Sequence, residues 1–312
     1  MLDKVENRDS EGSCERALAA LRWAADVATL DPTELSHPPE RPSDEELRAV
    51  DLRDFRREVD RLLLGRYTQE GLDALLEIGV LAVWLPEVHA LVGFGDGEFR
   101  HKDVWKHTKQ VVWQSVPRLS VRWGALLHDI GKVKTRRIDE RGEVHFFGHS
   151  EVGAAMFRKR AAARLGFTGA LYDRVHYLIL NHLRASQYEG DWTDAAVRRF
   201  ALEMDDGLVD LLDLSRADIT TKRPERKKRG LQQISELSLR IDRVRADDAK
   251  VPPLPKGLGS EIMQHFALPP SRLIGELRCR LEAEVEAGRL LPERESAYYM
   301  AWLEQNRASL GL

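Results

Sequence analysis

Cysteine, strand-forming runs and long apolar stretches are all scarce in this 312-residue chain, and each scarcity removes a class of protein. Its two cysteines, Cys14 and Cys279, lie far apart with no CxxC partner, which excludes a disulfide framework and a zinc ribbon. Both read as reduced core thiols. No apolar run approaches the roughly 18 residues that span a bilayer. The opening Met1-Leu2-Asp3-Lys4-Val5-Glu6 has neither the basic lead nor the apolar block of a secretory signal, so a cytoplasmic protein with no membrane association is expected. A net charge of −3 argues against a surface that grips nucleic acid on every side.

What is present is helical periodicity. Apolar residues three and four apart recur near 13–30, 44–65, 68–79, 103–116, 150–164 and 168–183, which predicts an all-α fold. One exception is Lys134–Phe147, where Thr135–Ile138 and Glu143–Phe146 flank the turn-like Asp139-Glu140-Arg141-Gly142 and predict a small β-hairpin. Ser43 with Glu46 forms a capping-box pattern, and Thr68 and Thr193 each precede a helical run. Breaks at Pro38-Pro39, Pro42, Pro86, Val92–Gly97 and Val251–Pro255 divide the chain into a helical unit over 1–95, a ligand-bearing core over 96–225 and a helical tail over 226–312.

The core carries His107, the pair His128-Asp129, His149, His182 and Asp218. A single histidine is more often structural than ligating, and His37, His89 and His265 keep that reading; His101, His145 and His176 are nearer the series but stay outside it. The pair sits at the end of the apolar run Ala125-Leu126-Leu127, where burying an imidazole and a carboxylate demands a partner. Asp129 has two oxygens and can bridge two ions. Mixed imidazole and carboxylate ligands suit Fe, Mn, Co, Ni or Zn better than calcium, which prefers oxygen cages. Lys132 lies one turn beyond the pair, and Gly131 and Gly148 are placed for close backbone approach or tight turns beside it. The block Lys222–Arg229 follows Asp218; by default it is a solvated helix start, and functionally it is a rim, with Lys222 and Arg223 foremost, that attracts phosphate.

In this order the residues resemble the HD superfamily of metal-dependent phosphohydrolases, whose pattern is a His, a His-Asp pair, up to two further His and a final Asp. The resemblance implies that His107, His128, Asp129, His149, His182 and Asp218 hold two divalent cations. It also implies that a metal-activated water attacks phosphorus, with Lys132 neutralising charge on the phosphoryl oxygens. Beyond the motif, Phe55–Gly65, Leu85-Pro86-Glu87, Lys102–Thr108, Ile274–Leu277 and Gly288–Glu295 resemble the neck, HD domain and tail of bacterial CCA-adding tRNA nucleotidyltransferases. That family's head, with a Gly-Gly turn and an Asp-x-Asp strand motif, has no counterpart in residues 1–312. Asp205-Asp206 and Asp247-Asp248 stand in helical contexts, so independent end addition is not expected.

The function expected on these grounds is phosphomonoesterase or 2′,3′-cyclic phosphodiesterase activity on nucleotides or RNA 3′-ends. The alternatives are a tRNA-binding partner for a separate nucleotidyltransferase head, and a hydrolase of a signalling nucleotide or dNTP.

Overall fold

A computed structural model describes residues 3–95, 103–249, 253–310 and 312. His101, part of the Val92–Gly97 break and the Val251-Pro252 break lie outside the described residues. The only described strands are β1 (Arg137–Ile138) and β2 (Val144–His145), antiparallel with Arg137 opposite His145 and Ile138 opposite Val144. All other described regular structure is helical, as the periodicity predicts.

The chain divides into two compact units, residues 1–242 and 243–312. The first begins with α1 (Asp3–Thr29), whose inner stripe Ala17, Ala20, Leu21, Ala24, Ala25 and Ala28 is fully buried. Small side chains at this spacing let the neighbouring backbone come close. A Cβ on Gly65 would lie 2.3 Å from the Ala28 carbonyl oxygen, so that position requires glycine. Against this stripe pack α3 (Leu52–Leu63) and α4 (Thr68–Glu77), preceded by the short α2 (Asp44–Ala49). Ser43 closes the predicted capping box with Glu46.

Three local expectations need correction. The helix expected over 44–65 is two helices, because Val50 is extended and Asp51 caps a new start by accepting the Arg53 N–H at 2.8 Å. Thr68 is not a cap: it is the first residue inside α4, fully buried, and its hydroxyl meets the Arg122 guanidinium at 3.4 Å. Cys279 is exposed and Cys14 half-buried, so neither thiol is in the core.

After α5 (Val80–Trp84) and α6 (Pro86–His89) come the helices that build the site: α7 (Val104–Gln114), α8 (Leu119–Leu127), the short α9 (Lys132–Thr135), α10 (His149–Met156), α11 (Ala162–Arg164), α12 (Gly169–Asn181), α13 (Asp194–Met204) and α14 (Leu208–Ala217). A single π-helical turn, Phe157–Ala161, joins α10 to α11 within the run expected as one regular helix. Helix α8 is the centre, buried at every position from Val121 to Leu127. Its Gly124 lets α12 approach so closely that a Cβ there would meet Leu178 at 2.8 Å. Thr193 caps α13 as predicted, accepting the Ala196 N–H. Helix α15 (Pro224–Ala249) follows, its Lys227 bonded to Gln114 and its Glu236 to Tyr188.

The second unit contains α16 (Leu258–His265), α17 (Arg272–Glu286), α18 (Ser296–Gln305) and α19 (Arg307–Leu310) around Leu258, Ile262, Leu277, Leu281, Tyr299 and Leu303. No described helix is long and apolar enough to cross a membrane.

Candidate metal centre

Five helices deliver the six residues named from the sequence. His107 lies on α7, and His149 opens α10. His128, His182 and Asp218 each stand at the C-terminal cap of a helix: α8, α12 and α14 respectively. The C-terminal end of a helix carries partial negative charge, so three such ends facing one point form a field that favours a cation. Gly131 lets this happen: a Cβ there would lie 2.0 Å from the His149 carbonyl oxygen. Gly148 turns the chain into α10 with φ +74°, a left-handed conformation that glycine adopts freely.

The side chains converge in two lobes that share Asp129. In one, His107 Nε2 is 3.3 Å from His128 Nε2, 3.4 Å from Asp129 Oδ2 and 3.0 Å from Asp218 Oδ1. In the other, His149 Nε2 is 3.1 Å from His182 Nε2 and 3.4 Å from Asp129 Oδ1. The groups His107/His128/Asp129 and Asp129/His149/His182 each present ligand atoms close enough to share one ion. All but His107 and Asp218 are nearly or fully buried.

Hydrogen bonds to the far sides of the rings decide what the near sides can do. The Nδ1–H of His128, His149 and His182 donates to the carbonyls of Ala125, Phe146 and Ile179, at 2.7, 2.8 and 2.9 Å. These bonds leave Nε2 as a bare lone pair aimed inward. His107 Nδ1 meets the Thr220 hydroxyl at 2.9 Å. The His149 and His182 lone pairs, 3.1 Å apart, repel, and among the described residues the buried Asp129 Oδ1 has no hydrogen-bond donor. A divalent cation would satisfy both, and tetrahedral or octahedral first-row metals take this donor set.

Charge follows the same division. Burial alone would push the His128 imidazole down, but the Asp129 and Asp218 carboxylates outweigh it and raise it. Burial would likewise raise Asp129, yet His128 and Lys132 hold it well below the usual carboxylate range; Asp218 is lowered by His107 and His128 against its own burial. In the second lobe burial dominates, lowering His149 and bringing His182 to about 4.

Lys132 lies at the edge of the first lobe, its Nζ 2.6 Å from Asp129 Oδ2 and 5.6 Å from the centre of the Phe146 ring. Lys222 and Arg223 are exposed in the turn before α15, and no hydrogen bond or ion pair joins them to the six residues. His145 bonds Asp139, His176 packs beside Phe157 and Tyr172, and His265 bonds Glu304, so none of the three joins the six residues. Thr220 was not singled out from the sequence. It lies two residues after Asp218, just past the C-terminal cap of α14.

Residues 103–223 match the HD domain family, and the chain carries an HD domain there. Around it, the chain is 35% identical over 254 residues to the CC-adding tRNA nucleotidyltransferase of Thermus thermophilus, which covers 78% of this chain and 55% of that protein. It is 32% identical over 264 residues to the A-adding tRNA nucleotidyltransferase of Deinococcus radiodurans, covering 81% and 59%. A multifunctional CCA protein of Pseudomonas fluorescens is 33% identical over 152 residues, 46% of this chain. Homology to tRNA nucleotidyltransferases thus extends well beyond the HD domain, while the chain spans little more than half the length of the first two relatives.

Proposed function

We propose that the chain is a metal-dependent phosphohydrolase that acts on phosphomonoesters or 2′,3′-cyclic phosphates of nucleotides or RNA 3′-ends. The observation that carries this reading is the set of four inward Nε2 atoms around Asp129, whose two oxygens face separate lobes. His107, His128, Asp129 and Asp218 would hold one cation, and Asp129, His149 and His182 a second. Bound there, such ions supply Lewis acidity toward phosphoryl oxygens and lower the pKa of a water for attack on phosphorus.

The chain's own groups do the rest. Backbone carbonyls behind three of the rings hold their tautomers and aim. Lys132 keeps a positive charge beside Asp129, where a phosphoryl oxygen gains charge in the transition state. Access is from the first lobe, since Asp218 is 26%, Lys132 20% and His107 13% exposed while Asp129 is 1% exposed. Lys222 and Arg223 raise the local concentration of anionic substrate.

The test is hydrolysis of p-nitrophenyl phosphate, bis-p-nitrophenyl phosphate and 2′,3′-cAMP by protein loaded with Mn, Ni or Co. Activity is expected in at least one arm and should vanish in Asp129→Ala. A metal-loaded protein inert on all three would falsify the reading.

Homology outside residues 103–223 favours a second reading, tRNA binding in support of a nucleotidyltransferase head. Gel shift with tRNA at low salt tests it, and absence of a shift there removes it.

A further inference from the structure

Beside the His149 end of the centre, the hairpin displays an aromatic side chain that folding does not account for. Phe147 is 78% exposed, although leaving a phenyl ring in water forfeits its hydrophobic gain. The ring is held all the same. The His145 imidazole stacks on it with centroids 5.1 Å apart and planes within 9°. His145 Nε2 is bonded to Asp139 Oδ2 at 2.9 Å, and Asp139 in turn accepts the N–H groups of Arg141 and Glu143. One face of Phe147 is therefore braced from the hairpin turn.

The ring borders a cavity of about 450 Å³ whose other walls are Lys134, Thr135, Arg137, Gly148 and Val152. That volume lies in the range of small-molecule sites. Lys134 and Arg137 are exposed, and among the described residues neither forms an ion pair. A braced aromatic face beside two unpaired cations suits a planar base that carries a phosphate. Chain connectivity ties this cavity to the metal centre: Phe147 is two residues from His149 and Lys134 two from Lys132, so their backbones lie within about 7 Å of those residues.

We propose that this shelf is a nucleobase subsite. A base stacks on Phe147, and Lys134 and Arg137 take a phosphate of the same or the adjoining nucleotide. The assignment rests on the phosphohydrolase reading only for where the scissile phosphate points, since base binding is measured without turnover.

The experiment is calorimetric titration of EDTA-treated full chain with AMP, with glycerol 2-phosphate as the phosphate lacking a base, and with triadenylate. AMP is expected to bind about ten-fold tighter than glycerol 2-phosphate, the scale of one base stacked on an aromatic ring. Phe147→Ala should erase that difference, Phe147→Trp should restore it, and Lys134→Gln with Arg137→Gln should weaken all three probes. Tighter binding of triadenylate than of AMP marks an RNA end and equal binding a mononucleotide; either supports the shelf. Phe147 is exposed, so its replacement leaves the fold intact, which an unchanged thermal melt checks. The shelf is overturned by wild-type protein that binds AMP no better than glycerol 2-phosphate, or by Phe147→Ala protein that binds AMP as wild type does. Hydrolysis that fails while Phe147-dependent binding persists would remove the phosphohydrolase reading and leave the shelf standing.

Discussion

The two lobes around Asp129 use the same residue types yet differ in charge and access. The His107/His128 lobe adds Asp218 to Asp129, opens toward solvent and has Lys132 at its edge. The His149/His182 lobe has a single carboxylate oxygen, which no donor among the described residues reaches, and lies almost wholly inside the protein. Two carboxylates attract a dication more strongly than one, so the open lobe should fill first and the buried lobe second. Burial instead keeps the imidazoles of the second lobe neutral and ready to ligate under mildly acidic conditions.

The largest effect should come from removing one lobe at a time. Asp218→Asn and His182→Asn are each expected to lower bound metal from two equivalents to one, read by mass spectrometry. Both should lower turnover at least about a hundred-fold, since each cation contributes several kcal/mol to the transition state. The order of loading breaks the comparison if the metal left in His182→Asn is held more weakly than the metal left in Asp218→Asn.

Lys132→Gln comes next. It removes a positive charge 2.6 Å from Asp129 Oδ2, so metal should bind at least as tightly while kcat falls roughly ten- to a hundred-fold. A merely structural lysine would lower both. A parallel loss of metal and kcat would therefore withdraw its part in turnover.

Acid should then reveal the buried lobe in metal-free protein. Folded His182 takes a proton only near pH 4, whereas an unfolded histidine does so near 6.5. Between those values the unfolded chain binds more protons, so this contribution to stability is complete above about pH 6.5 and is lost as pH falls. By pH 5 the loss is roughly 2 kcal/mol, at 1.36 kcal/mol per pKa unit. Urea unfolding at pH 7 and pH 5 should show a larger loss in wild type than in His182→Asn, which keeps the contribution of the lowered His149. The smallest effect belongs to the rim: Lys222→Gln with Arg223→Gln should raise KM about two- to three-fold at low salt and have no effect at 0.5 M, because exposed charges are screened.

Much of this centre was legible along the chain, because a ligand cluster on helices leaves residue types at fixed places. His128-Asp129 follows an apolar helix, His149 opens one, and the hairpin between them sits where turn residues separate two short runs. The break at Val50-Asp51 was not legible, since the apolar spacing continues across it and only the Asp51 cap interrupts the helix. Nor was Thr68, whose hydroxyl meets Arg122 across 54 residues of sequence.

The sequence by itself determined an all-α protein with a hairpin and six candidate ligands in HD order, because helical periodicity and residue chemistry are local properties of a chain. Only the tertiary structure decided that Asp129 turns one oxygen to each lobe, that Thr220 stands behind His107, and that Phe147 is stacked on His145 rather than buried. Those facts depend on where distant helix ends meet and on which ring nitrogen finds a carbonyl behind it. Each is a matter of packing geometry over several ångströms, which residue spacing does not encode.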